Sequence, residues 1–124
     1  MPDGSGGLGV DANPEDAKLV TLARGAKARV SSRHGAALRD ETGRTYSGAD
    51  VGLDSLNLSA LELAVAQAVA SGSRGVEAAV VVSDDPEAGV DIAAVAELGG
   101  SGVPVHVCAT DGTLNRTITT GFPG

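Results

Sequence analysis

The chain has 124 residues, a formal net charge of −7, one cysteine, no Trp, one Phe and one Tyr. That length suits a single domain with one hydrophobic core, and the core must be built from Ala, Val and Leu packed in thin layers. The acidic balance argues against a nucleic-acid binder, which needs a concentrated positive field, and the lone Cys108 rules out an intramolecular disulfide or a cysteine-based metal cluster.

Residues 1–13 are rich in Gly and polar side chains and read as a flexible tail, with the folded domain expected over 14–124. A helix is predicted from Pro14 to about Arg29, with Asn13 as N-cap, Pro at the first helical position and Glu15 and Asp16 in the first turn. Its expected core face is Ala17, Val20, Leu22, Ala23 and Ala26. His34 to Arg39 and Thr45 to Val51 flank Asp40-Glu41-Thr42-Gly43, the pattern of a β-hairpin with Gly43 left-handed. Asp54 or Ser55 is the expected cap of a second helix running to Ser71, with Gly72 as the stop. It is apolar all round, which predicts burial.

Val76 to Ser83 is a continuous apolar run, as expected of a strand covered on both faces. A third helix fits Val90 to Leu98, closed by Gly99-Gly100. Val103 to Cys108 and Leu114 to Thr119 read as strands around an Asp111-Gly112 turn. Two strand–helix–strand crossovers imply partly parallel pairing with helices on both faces, so the fold class is α/β, a three-layer α/β/α domain around a mixed five-stranded sheet. No apolar stretch resembles a signal peptide or is long enough to span a membrane, so a soluble cytoplasmic protein is expected.

Several segments carry a resemblance in consistent order. They are Gly35-Ala36-Ala37-Leu38, the hairpin Asp40 to Gly48, Ala60-Leu61-Glu62, Val80 to Asp84, Glu87-Ala88-Gly89-Val90-Asp91, and Val103-Pro104-Val105-His106-Val107. Together they resemble the cytidine deaminase family in its small homotetrameric form. Ala60-Leu61-Glu62 stands where that family carries C-A-E, and Ala88 to Asp91 stands where it carries C-G-x-C. The resemblance implies zinc, held by one His or Cys from the first motif and two Cys from the second, with the nearby Glu moving the proton.

By position the ligands would be Ala60, Ala88 and Asp91, and a methyl group cannot donate to a metal. One carboxylate falls short of the three protein ligands a catalytic zinc needs. Without the metal nothing lowers the pKa of water toward neutrality. The expected cofactor is therefore none, with those three positions degenerate. Glu62 survives as a vestigial proton-transfer residue, or else it bonds a backbone N–H or reaches solvent. Asp50, in the family's ribose-binding segment, could still accept a hydrogen bond from a hydroxyl.

Other readings remain beside these. Asp91 fits a metal ligand, or an N-cap or first-turn acid of its helix. Cys108 and His106 should share one face of a strand, as a reactive pair or as a buried thiol beside an unrelated imidazole. His34 opens a strand and is expected at a layer boundary, with a ligand role as the lesser alternative. Lys18, Arg24, Lys27, Arg29 and Arg33 form one modest basic face or solvated surface charges.

The functional expectation is a cytidine deaminase-like protein without zinc or hydrolytic deamination, serving as a structural, partner-binding or vestigial ligand-binding module. The alternative is an active nucleoside deaminase with a rebuilt site. A homodimer or homotetramer is expected, with an unidentified protein partner also open, but neither nucleic acid nor membrane.

Overall fold

The computed structural model describes residues 13–121; the segment read as a flexible tail, apart from Asn13, lies outside them. Helix α1 (Pro14–Arg29) starts as its cap residues dictate, with Asn13 extended and its side-chain oxygen accepting from the Glu15 N–H at 2.9 Å. Its buried stripe is Asp16, Leu19, Val20, Ala23 and Ala26. Leu22, expected inside, is 38% exposed, and Leu19 takes its place because it lies four residues before Ala23 and seven before Ala26. Ala17 is only half-buried.

Strands β1 (His34–Asp40) and β2 (Thr45–Ala49) form the expected hairpin, with Gly43 at φ +89°. The second strand ends two residues earlier than expected. Val51 leaves the sheet and pairs in a separate ribbon, β3 (Val51–Gly52) with β4 (Asn57–Leu58), closed by reciprocal Leu53–Leu56 backbone bonds. That turn consumes the residues expected to begin the second helix. Helix α2 therefore runs Ala60–Ala70 and is capped by Ser59, not by Asp54 or Ser55. It is not buried all round. Ala60, Leu61, Ala64, Val65 and Ala68 face the core, whereas Ala66, Val69 and Ala70 are exposed.

Strand β5 (Val76–Ser83) has the predicted bounds and is buried at every position except Glu77. Helix α3 (Ala93–Gly99) starts three residues later than expected and ends into Gly100 at φ +77°. Strands β6 (Pro104–Ala109) and β7 (Leu114–Thr119) follow, joined through a turn with Gly112 at φ +92°.

The sheet order is β2-β1-β5-β6-β7, and only β5–β6 is a parallel neighbour pair. The crossover through α3 joins those two neighbours, while the one through α2 passes over β1. Helix α1 packs Leu19, Val20 and Ala23 on one face of the sheet against Ala37, Val80, Val82 and Cys108. Helices α2 and α3 pack on the other, over Ala36, Leu38, Ala79, Val81 and Val105. This is the predicted three-layer α/β/α arrangement with a mixed five-stranded sheet. Two glycines set how closely the helices approach. A Cβ on Gly35 would fall 2.0 Å from the Ala23 carbonyl oxygen, and one on Gly48 2.8 Å from that of Ala60. Gly48 thus brings the start of α2 down onto β2. Among the described residues no helix is long and apolar enough to cross a membrane.

Candidate functional site

A cleft of about 440 Å³ opens beside the C-terminal end of β5. This is where open α/β sheets commonly place a ligand, outside the carboxyl ends of their strands. Its walls are the first turn of α2, the β3–β4 ribbon and the 84–91 loop. Ala60, Glu62, Ala88, Asp91 and Asp50 all line it, so the structure brings together the residues of the two zinc-motif positions and the ribose-binding segment. His34 lines it too.

The carboxylates of this cleft serve the backbone first. Glu62 closes a capping box, its Oε1 accepting from the Ser59 N–H at 2.8 Å while Ser59 Oγ accepts from the Glu62 N–H at 3.1 Å. The reading of Glu62 as a backbone-bonded acid fits this geometry. Asp50 Oδ1 accepts from the Ala60 N–H at 2.9 Å, so three acceptors converge on the first turn of α2. Asp91 Oδ1 accepts from the Ala93 N–H at 2.9 Å, but Asp91 lies one residue before the N-cap Ile92 and outside the first turn of α3, so it is neither the N-cap nor a first-turn acid.

The other oxygen of Asp50 lies 2.6 Å from His34 Nδ1. An ionised carboxylate only accepts, so this contact places the proton on Nδ1 and leaves Nε2 of a neutral ring with its lone pair. Ser32 Oγ steadies the pair by accepting from the backbone N–H groups of both His34 and Asp50. Each oxygen of Asp50 is therefore already engaged by one partner.

The loop opposite α2 is held from the sheet. The Arg116 guanidinium on β7 donates to the Pro86 carbonyl at 2.6 Å and to the Ala88 carbonyl at 2.7 Å, and Asn115 donates to Glu87. Asp84, at the root of the loop, is held below its ordinary pKa by hydrogen bonds from the Lys27 ammonium, 2.7 Å away, and the Thr110 hydroxyl.

Zinc fits this donor set poorly. Ala60 and Ala88 present methyl groups, Asp91 presents one carboxylate, and among the described residues no three His, Cys, Asp or Glu side chains converge on a common point.

Cys108 and His106 do share a face, as predicted, but it is the α1 face, across the sheet from the cleft. Cys108 is fully buried. His106 bonds Asp16 through Nε2 at 3.1 Å and Thr117 through Nδ1 at 2.9 Å. Asp16 also lies 3.0 Å from Arg39 Nη2, an ion pair whose alignment misses a hydrogen bond, while Arg39 Nε donates to Glu77. The pair cannot act on a ligand in the cleft. Of the early cations, Lys18 pairs with Glu15 and Lys27 with Asp84.

Ser59 and Arg116 escaped the sequence reading, as did the pairing of His34 with Asp50. Only Ser59 had a local signal, the S-x-x-E spacing to Glu62. His34 and Arg116 meet their partners across 16 and about 30 residues, where no motif announces them.

Comparison with known proteins agrees with this geometry. The family model for cytidine deaminase-like proteins matches residues 12–112. Among solved structures, a cytidine deaminase from Burkholderia pseudomallei superposes with a TM-score of 0.71 at 24% identity, covering 84% of this chain and 91% of that one. A cytidine deaminase from Mycobacterium leprae gives 0.63 at 19%, covering 82% and 90%, and one from Mycobacterium tuberculosis gives 0.59 at 23%, covering 71% and 80%. At these identities the superpositions establish the fold. No curated protein matches by sequence.

Proposed function

Because the chain belongs to the cytidine deaminase-like family, we propose that it is a member that has relinquished zinc-dependent deamination. On this reading the cleft remains as a metal-free binding module for a small ligand or partner. The observation that carries the proposal is the pair of methyl groups at Ala60 and Ala88 in the cleft wall, with Asp91 as the sole potential ligand at the three matching positions. A zinc-bound hydroxide is the nucleophile of zinc deaminases, and a site that cannot hold the metal cannot lower the pKa of water. Glu62 adds support, because its carboxylate is committed to the Ser59 N–H instead of pointing freely at a reactant.

Metal analysis of protein purified without added zinc, together with ammonia release from cytidine and deoxycytidine, tests the proposal. Neither zinc nor turnover is expected, and chelator should leave the melting temperature unchanged. About one tightly held zinc per chain would overturn it, as would chelator-sensitive turnover. Turnover that survives chelation would instead favour an active deaminase with a rebuilt, metal-free site.

Self-association belongs to the same proposal. Ala66, Val69 and Ala70 stand at i, i+3 and i+4 on the outer face of α2 and are exposed in the single chain, with Val69 54% exposed. Small side chains in that spacing admit a second helix at close range, and a dimer or tetramer of this chain would cover them.

A further inference from the structure

The His34–Asp50 pair has no part in the lost chemistry, yet it has the geometry of a recognition element. We infer that His34 Nε2, oriented by Asp50, is the hydrogen-bond acceptor that receives a ligand in the cleft, and that the ligand is a small organic cation with N–H donors, of the amine or amidine class. This rests on the reading of the cleft as a metal-free binding site.

The first support is orientation. Asp50 Oδ2 fixes one ring nitrogen at 2.6 Å, and its other oxygen is anchored to the Ala60 N–H, so the carboxylate cannot swing away without uncapping α2. A histidine held in this way has one defined free nitrogen, the arrangement that a carboxylate imposes on an imidazole wherever a particular tautomer is needed. His34 Nε2 makes no hydrogen bond among the described residues. The ring lines the cleft with its side chain 38% exposed, so an incoming group can reach it.

The second support is the charge of the lining. Seventeen residues line the cleft; Asp50, Glu62, Asp85 and Asp91 are among them, and there is no Lys or Arg. The ionised carboxylates of the wall are all acceptors. An anionic or phosphorylated molecule would meet repulsion and no fixed donor charge, whereas an ammonium or amidinium would meet acceptors on several sides. The volume of about 440 Å³ lies within the range of small-molecule sites. The Arg116 guanidinium is spent on the carbonyls of the loop, and the Lys27 ammonium on Asp84.

The test uses benzamidine and benzoate, planar molecules of nearly the same shape and opposite charge, followed by NMR of the histidine rings in the presence of chelator. The chain has two histidines, and His106 lies under α1 on the far side of the sheet, so it is an internal control. Benzamidine should shift the His34 ring signals saturably and leave those of His106 in place, and benzoate should do neither. His34→Leu should weaken benzamidine binding about tenfold, the loss of one hydrogen bond to a charged partner. The inference is overturned if benzamidine produces no saturable shift at His34, if benzoate shifts it equally, or if both histidines respond alike. The chelator keeps this outcome separate from that of the metal analysis: zinc in the purified protein would sink the metal-free reading whether or not benzamidine binds.

Discussion

Asp50 is the side chain on which the start of α2 and the orientation of His34 both depend, and its two tasks can be separated by substitution. Asp50→Ala removes the acceptor of the Ala60 N–H and the partner of His34 together; Asp50→Asn keeps an oxygen for Ala60 but withdraws the charge. Loss of a helix-capping acceptor costs about 1 kcal/mol, and up to about 2 where the freed N–H is poorly hydrated. Ala60 is 1% exposed, which places this cap toward the upper figure. The His34 pair is about one-third exposed on both sides, so solvent screening limits it to about 1 kcal/mol or less.

Asp50→Ala should therefore lose about 2–3 kcal/mol, and Asp50→Asn about 1. In a chain of this size each kcal/mol corresponds to about 4 °C in melting temperature, so the alanine variant should melt about 10 °C lower. Urea unfolding followed by circular dichroism at pH 7.5 gives the comparison directly. The reasoning fails if Asp50→Ala lies within about 0.5 kcal/mol of the parent, the scatter of ordinary surface changes. It fails equally if the two variants are indistinguishable, because then the amide oxygen is not serving Ala60.

Substituting Ala60→Cys, Ala88→Cys and Asp91→Cys together should create a tetrahedral site that takes up zinc or cobalt; no metal uptake would show that one motif is out of register. Asp40 is 2% exposed, and although burial alone would raise its pKa, hydrogen bonds from Ser73, Thr42 and Arg44 outweigh it and hold it at about 2, below the ordinary 3.8. A depressed carboxylate stabilises the fold above its unfolded pKa, so up to about 2 kcal/mol should be present at neutral pH and lost between about pH 4 and 2. The deficit of Asp40→Asn should shrink over that window, and a deficit independent of pH in urea titrations would contradict the assignment. Val69→Glu places a charge in the exposed apolar row of α2, and light scattering should show dissociation to monomer without loss of helicity.

Local chemistry explains which elements could be read in advance. Asn13-Pro14-Glu15 specifies a helix start within three residues, and the Val-rich run of β5 needs no partner to be recognised as a covered strand. The start of α2 was misplaced because Leu56 and Leu58 continue the apolar pattern of the helix. What excludes them from it is the Leu53–Leu56 turn, whose bonds depend on β3 meeting β4. Leu22 was misassigned for a related reason. Both leucines of α1 suit a core, and only the direction from which the sheet approaches selects Leu19. At the site, residue types showed that Ala60 and Ala88 supply no ligand, and the structure brings them together with Glu62 and Asp91. The occupation of Glu62 and Asp50 by backbone N–H groups was hidden, since an acid intended for a reactant and an acid intended for a cap are spelled alike.

In a zinc deaminase the metal does more than activate water. Its ligands come from the start of one helix and from the loop after the next strand, so each metal–ligand bond also ties one wall of the cleft to the other. Here those walls are fastened separately. Asp50, Ser59 and Glu62 satisfy the first turn of α2 from within its own side of the cleft, and Arg116 grips the 84–91 loop from β7 through two carbonyls. With both walls secured by the polypeptide, the proposed loss of thiolates would leave no frayed helix end and no loose loop. That accounts for a chain able to keep the fold, and an open cleft of about 440 Å³, with methyl groups where ligands would stand. It also places the chemically distinctive residue at His34, at the start of β1, tied through Asp50 to the first of these fastenings.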